Sequence, residues 1–400
     1  MFRLYLSIIF SLFLSVSFAQ KKEIQQARDN VKSGKNLEQV EKSMLKLLED
    51  SAYRHNNKIY RLLNASIQKQ YVQLNEKLYL KQSVDSALFF HTLNRTYHHA
   101  FRTDSIFPSE RKNYAHFLYT YLPNLYAGGA YFFKKEKFAE AYELFDTYIE
   151  CKNHPIFESH KDEIRNVKVS SFRALCCGYR MKDYKKTVKH SRHALLFEPG
   201  NMVAMKYLAE TYQKSDSTYS KYIEYLDSGF VKYPCEEYFF TRLLNHHMAH
   251  QELEKSLEIA NKAIEECPQN VLYRYAKSHI LLNMERFVDC ISAADSTIAL
   301  SDSISDSYYI AGIANVYLAE QLKDMAVKSK DEKQKMLDYY AAALPYFEKF
   351  RSREPDRVDK WGSPLYNIYL NLNKGKEFEE IYKLLRNSSP KQEKSKSKRR

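Results

Sequence analysis

Glycine is scarce in this sequence. Only 9 of its 400 residues are glycine, where average usage of about 7% would supply roughly 28. Strand-rich folds and phosphate-cradling loops draw on glycine for backbone angles that other residues resist. The composition therefore argues against both and favours helices, which disfavour glycine. Tryptophan is rarer still, with Trp361 alone. Beyond the first twenty residues no apolar run approaches the ~20 residues that span a bilayer. The six cysteines (Cys151, Cys176, Cys177, Cys235, Cys267 and Cys290) follow no metal-binding spacing. There is no phosphate loop, nucleophile elbow or dinucleotide fingerprint. Together these absences point away from an enzyme, and neither a cofactor nor a metal is expected.

Hydrophobic residues make up 44% of the chain, enough for a packed core, and 33 tyrosines are present. A tyrosine joins a rigid apolar ring to a polar tip, which suits helix seams and binding surfaces alike. Residues 1–19 read as a signal peptide: Arg3, an apolar core from Leu4 to Val16, then Ser17-Phe18-Ala19 before a cut that leaves Gln20 first. This predicts an exported protein that is not transmembrane after cleavage. The periplasm is the expected place and the extracellular space the alternative. In a eukaryote, Asn64, Asn94 and Asn387 stand in glycosylation triplets. An even cysteine count in an oxidising compartment permits disulfides, whereas cysteines in apolar helical segments also serve as small hydrophobes; both outcomes stay open.

The net charge is +13, and the tail holds Lys391, Lys394, Lys396, Lys398, Arg399 and Arg400 against Glu393. Residues 389–400 are therefore expected to be a disordered basic arm, able to touch an anionic surface. Nucleic acid is not an expected partner, because the export signal argues against it.

A period is visible. Pro199, Pro234 and Pro268 are 35 and 34 residues apart, each after a helical-looking run, and a further 34 residues leads to Asp302. Regular prolines mark regular helix ends. Between Pro268 and Asp302, Leu272, Tyr275, Ala276 and Ile280 mark one helix. After a short polar break, Phe287, Cys290, Ile291, Ala294 and Ile298 mark a second. So short a break requires the two to lie antiparallel.

A 34-residue helix–turn–helix unit of this kind resembles the tetratricopeptide repeat. The clearest match runs from Leu125 to Tyr148, with Gly129, Phe132, Ala141 and Phe145 at the family's small and aromatic positions. Looser units follow around Leu175 to Pro199, Leu208 to Pro234, Leu244 to Pro268 and Phe287 to Ala294. A later unit pairs Gly312 with Ala343 and Phe347 across a charged insertion at Lys323 to Lys335, and Pro364 to Asn373 with Phe378 to Leu385 forms a last pair. The resemblance implies an all-α fold, a right-handed α-solenoid of antiparallel helix pairs. The expected organisation is a degenerate helical region over 20–121, a repeat array over 122–303, and further repeats with capping helices over 304–388.

In that family the first helix of each pair lines a concave groove that receives a peptide. Carried over residue by residue, the groove would present Tyr126, Phe133, Lys134, Phe172, Tyr179, Arg180, Lys206, Lys214, Tyr238, Asn245, Tyr275, Asn283, Tyr309 and Tyr317. Such a lining suits a peptide with aromatic or acidic side chains. His246, His247 and His250 cluster on one helix, but no glutamate completes a metalloprotease pattern and no third ligand is nearby. The expected function is a non-enzymatic, exported scaffold that holds a protein or peptide. The alternative is a glycan- or nutrient-binding accessory protein of the cell envelope.

Overall fold

A computed structural model describes residues 20–214, 218–323 and 329–388. The expected leader (1–19) and basic arm (389–400) lie outside the described residues. Among those residues every regular element is helical and no strand occurs. The helices run in pairs: α1 (residues 20–33) with α2 (Leu37–Glu49), α3 (Asn57–Tyr79) with α4 (Ser86–Ile106), and α5 (Arg111–Lys134) with α6 (Phe138–Cys151). Then come α7 (Val167–Arg180) with α8 (Tyr184–Lys189) and the short α9 (Ser191–Ala194), and α10 (Asn201–Gln213) with α11 (Tyr219–Lys232). The remaining pairs are α12 (Glu237–Ala249) with α13 (Leu253–Glu266), α14 (Val271–Asn283) with α15 (Phe287–Leu300), α16 (Ser305–Lys323) with α17 (Lys330–Arg353), and α18 (Val358–Asn371) with α19 (Gly375–Ser388). Neighbours in sequence are neighbours in space, so the expected all-α array of helix pairs is present. The chain parts into two compact units, one ending at Tyr225 and the other beginning at Leu226, within α11.

The repeat is written most regularly in the backbone. Glu136, Lys182, Gln251, Glu285 and Asn373 each follow the first helix of a pair, and all are left-handed, with φ between 54 and 59°. The next amide then closes back on the helix: Lys137 N to Phe132 O at 3.0 Å, Asp183 N to Gly178 O at 2.9 Å, Glu252 N to His247 O at 2.9 Å, Arg286 N to Leu281 O at 3.0 Å, and Lys374 N to Tyr369 O at 3.0 Å. This helix-ending motif satisfies carbonyls that would otherwise lack donors, and it usually employs glycine. Lys81, at φ 58°, ends α3 in the same way. Scarce glycine therefore excludes strands here but not left-handed turns. Lysine, glutamate, glutamine and asparagine hold them, at a steric cost of about 1 kcal/mol each.

Five residues after four of these turns stands a small side chain: Ala141, Thr187, Ser256 and Cys290. None is more than 1% exposed. They let the second helix close on the first. At Gly129 an added Cβ would lie 2.7 Å from the Phe145 ring, and at Gly312 it would lie 2.8 Å from Phe347, so these glycines exist to admit the aromatic rings. Ser278 takes the equivalent place in α14, and the Cys290 thiol donates to its carbonyl at 3.3 Å.

In the second unit a core forms around Tyr340, Phe347, Phe350, Trp361, Leu365 and Ile368. A disulfide joins Cys235 to Cys267, with Cα atoms 5.7 Å apart, linking the loops that precede α12 and α14. The other four cysteines are buried thiols. Two expectations change, at Pro364 and at the glycosylation triplets, whereas the charged insertion lengthens the helices beside it as one of its two readings expected. Pro364 lies inside α18 rather than opening it. The charged insertion extends helices on both sides, α16 to Lys323 and α17 from Lys330, where Ser329 and Glu332 form a reciprocal cap; residues 324–328 lie outside the described residues. Asn64 and Asn94 are buried and bonded, Asn64 Nδ2 to Thr103 Oγ1 at 2.7 Å and Asn94 Oδ1 from Thr147 Oγ1 at 2.7 Å, so a fold with these contacts leaves no room for glycans there.

Candidate partner-binding cleft

Between Glu136 and Glu285 the period breaks once. Gln251 and Glu285 are 34 residues apart, but Glu136 and Lys182 are 46 apart. The extra length lies in the α6–α7 connection, residues 152–166, which includes 3₁₀ turns at Pro155–Phe157 and Lys161–Glu163. Connections of this length inside compact domains are usually functional. The loop is anchored by Ile156, Phe157 and Ile164, all buried. His154 stacks on Phe101 with ring centroids 3.9 Å apart. The anchors leave His160, Glu163, Arg165 and Asn166 facing α5.

Between loop and helices lies a cleft of 610 Å³. His116, Tyr119, Thr120, Leu122, Pro123 and Tyr126 of α5 form one wall, and Tyr148 of α6 with His160, Glu163, Arg165 and Asn166 form the other. Pro123 sits in the middle of α5 and supplies no amide, so the Tyr119 carbonyl lacks its usual helical donor beside the cleft. Tyr119 stacks on His160, centroids 4.0 Å apart and planes 17° from parallel. Its hydroxyl donates to Glu163, whose other oxygen lies 3.3 Å from His160 Nδ1. That bond raises the Tyr119 pKa and, with the His160 contact, lowers that of Glu163. At the inner end Arg173 Nη1 donates to the Tyr126 hydroxyl at 3.3 Å, with its guanidinium 5.5 Å from the ring centroid. The result is a half-open aromatic pocket whose rim carries the Arg165 cation, the Asn166 amide and the Glu163 carboxylate. Such a lining offers ring faces for stacking and charged groups for charge-assisted hydrogen bonds.

The residues assigned to a groove by sequence fall into two classes. Tyr126, Phe133, Phe172, Tyr179, Lys206, Tyr238, Tyr275 and Tyr309 are half-buried; Lys134, Arg180, Lys214, Asn245, Asn283 and Tyr317 are exposed. Tyr126 enters the cleft, and with Phe133 it flanks Phe145, at 6.3 and 6.4 Å. Phe172 packs on Phe197 and covers Gly200. Tyr179 lies flat on Tyr207, 3.8 Å between centroids, and its hydroxyl donates to Glu210, which with burial pushes its pKa up to about 12. In the second unit Arg242 caps the Tyr238 ring at 3.7 Å, Tyr309 contacts Phe347 and Phe350, and Tyr317 meets Phe287. Asn283 Nδ2 bonds the His279 carbonyl within its own helix.

Sequence reasoning missed Tyr119, Tyr148, His160, Arg165 and Asn166. The available signal was the long interval between helix ends at Cys151 and Val167. The histidine cluster resolves differently: His247 Nδ1 lies 2.5 Å from Glu252 Oε2, and the His246 and His250 rings are 4.4 Å apart. Among the described residues no group of three or more histidine, cysteine, aspartate or glutamate side chains could hold a metal, and no helix is long and apolar enough to cross a membrane.

No family model and no curated protein matches this sequence. Solved structures with similarity include the C-terminal part of a TPR repeat-containing protein from Cytophaga hutchinsonii, at 14% identity and TM-score 0.45, covering 67% of this chain and 97% of that one. Two MamA structures are also similar. MamA from residue 41 to its end, from Desulfovibrio magneticus, is 12% identical with TM-score 0.34, covering 47% of this chain and 97% of that one. A second MamA crystal structure is 15% identical with TM-score 0.34, covering 48% and 95%.

Proposed function

We propose that this protein is a non-catalytic scaffold of the tetratricopeptide type, exported from the cytoplasm, which holds a protein or peptide partner by side chains inserted into the α5–α6–loop cleft. The observation that carries this reading is the cleft itself. A twelve-residue departure from the 34-residue period is anchored by buried side chains and brings a polar rim over Tyr119, Tyr126 and Tyr148. The half-buried tyrosines of α7 and α10 extend the same chemistry along the first unit. Export, with cleavage after Ala19 into the periplasm or beyond the cell, agrees with the Cys235–Cys267 disulfide, since such bonds persist in oxidising compartments. The glycan reading loses its tryptophan: Trp361 is 2% exposed, bonded to the Glu354 carbonyl and covered by Arg351.

The test is affinity capture from envelope extract with the mature chain, a Tyr119→Ala/Tyr126→Ala variant, and a Tyr179→Ala/Arg180→Ala variant, all checked for helicity. A protein retained by wild type and lost with the cleft variant supports the reading. A partner lost only with the second variant moves the site to α7. Recovery of glycan instead of protein overturns it.

A further inference from the structure

In the first unit the turns within helix pairs share one edge. The α1–α2 and α3–α4 ends meet where Gln73 Nε2 donates to the Gly34 carbonyl at 2.9 Å. The start of α4 meets the end of α5 where Phe90 lies 5.7 Å from Tyr131. The starts of α6 and α8 meet where Lys186 Nζ lies 5.0 Å from the Tyr142 ring. This edge is rich in lysine: Lys32, Lys35, Lys77, Lys81, Lys134 and Lys135 are all exposed, and among the described residues none of them forms an ion pair. Its acids are Glu38, Glu76 and Glu136, which are exposed, and Asp85 and Asp183, which cap α4 and α8, so the lysines named outnumber them by one.

From this edge the α3–α4 tip stands out. Residues 76–83 are exposed without interruption. Its centre reads Lys77-Leu78-Tyr79-Leu80-Lys81, and the three apolar side chains are 42%, 87% and 64% exposed, with Leu88 beside them at 43%. Contiguous large apolar residues at an exposed turn are costly in water and mark an interaction site. Lys81 is held left-handed, which turns the chain at the tip. We infer that this edge docks on an anionic bilayer surface, with Leu78, Tyr79 and Leu80 entering the headgroup layer and the flanking lysines pairing with lipid phosphates. The arrangement follows the physics of interfacial anchors: leucine and tyrosine favour the bilayer interface, lysines extend their heads to the phosphate level, and each adds to electrostatic attraction. An exposed apolar tip flanked by lysines has the charge and the apolar surface that a bilayer interface accepts. This site is separate from the basic arm and from the partner cleft.

The test uses the mature full-length chain and vesicles of phosphatidylglycerol and phosphatidylcholine, with pure phosphatidylcholine as the neutral comparison. A Tyr79→Trp substitution reports insertion directly, because Trp361 is buried and supplies a constant background. The emission of residue 79 is expected to shift to the blue with the anionic vesicles only. In flotation, Leu78→Ser/Leu80→Ser and Lys77→Gln/Lys81→Gln are each expected to lower partitioning by roughly tenfold with helicity unchanged. Neutralising Lys391, Lys394, Lys396 and Lys398 leaves the blue shift in place. Absence of the shift, or binding that disappears only when the tail is neutralised, overturns the inference. A shift caused by lipid-free envelope protein instead would assign the tip to a protein partner and overturn it equally.

Discussion

Among the described glycines of the first unit, Gly178 is the one whose added Cβ would meet the backbone of another helix. A Cβ added there would lie 2.4 Å from the Thr187 backbone nitrogen, 2.7 Å from the Lys186 carbonyl carbon and 2.8 Å from the Thr187 Cα. These obstacles are backbone and cannot rotate aside. Thr187 is 1% exposed, its amide bonds the Asp183 carbonyl at 2.9 Å, and Asp183 caps α8 through the Lys186 amide at 3.0 Å. A Gly178→Ala methyl therefore pushes α8 away from α7 by roughly an ångström to restore ordinary contact. Overpacking of this kind costs about 3 kcal/mol where nothing yields, and replacing a helical glycine returns about 1 kcal/mol. The expected net loss is about 2 kcal/mol. Gly129→Ala, which meets the buried Phe145 ring, should lose somewhat less, because a side chain can shift a little. Gly375→Ala, with nothing within 4 Å, should be neutral or slightly stabilising. Urea unfolding followed by circular dichroism orders the three. A Gly178→Ala protein at least as stable as wild type, or less affected than Gly375→Ala, would refute the packing argument.

Further outcomes follow from other features. Glu285→Gly or Gln251→Gly relieves a left-handed side chain and should stabilise the second unit by up to about 1 kcal/mol, visible as a higher urea midpoint. Reducing the Cys235–Cys267 bond, 32 residues apart, should lower stability by about 3–4 kcal/mol through loop entropy; a Cys235→Ser/Cys267→Ser protein with an unchanged midpoint would contradict this. Burial, with Arg102, His98 and Arg95 adding positive charge, lowers the His99 pKa to about 4. The unfolded chain takes up that proton below about pH 6.5 and the folded chain does not. Its contribution is thus complete above pH 6.5, falls as pH drops toward 4, and reaches a loss of about 3 kcal/mol. His99→Gln should flatten the fall in a pH series of unfolding midpoints.

The helices were readable because their signals are local. Pro199, Pro234 and Pro268 mark junctions, and α14 and α15 start at the residues where the apolar pattern changes. Gly129 and Gly312 announced close approaches because only a missing side chain admits Phe145 and Phe347. The left-handed turns were hidden because four different residue types hold one backbone conformation; the usual preference for glycine there is overridden by the bonds each turn completes. Pro364 misled because a helix buried against its neighbours tolerates one missing amide. The cleft could not be read directly, since Tyr119 and His160 meet across 41 residues only when the α6–α7 loop folds back on α5. What the sequence did hold was the irregular interval between helix ends.

The central claim is that the α6–α7 insertion builds a partner site. A photo-crosslinking residue placed at Thr120, in the cleft wall, tests it in the native organism, with Glu254 on the second unit as the control position. A defined protein adduct is expected from position 120, absent from position 254 and lost when Tyr126→Ala is added. No adduct at position 120, or the same adduct at both positions, would contradict it.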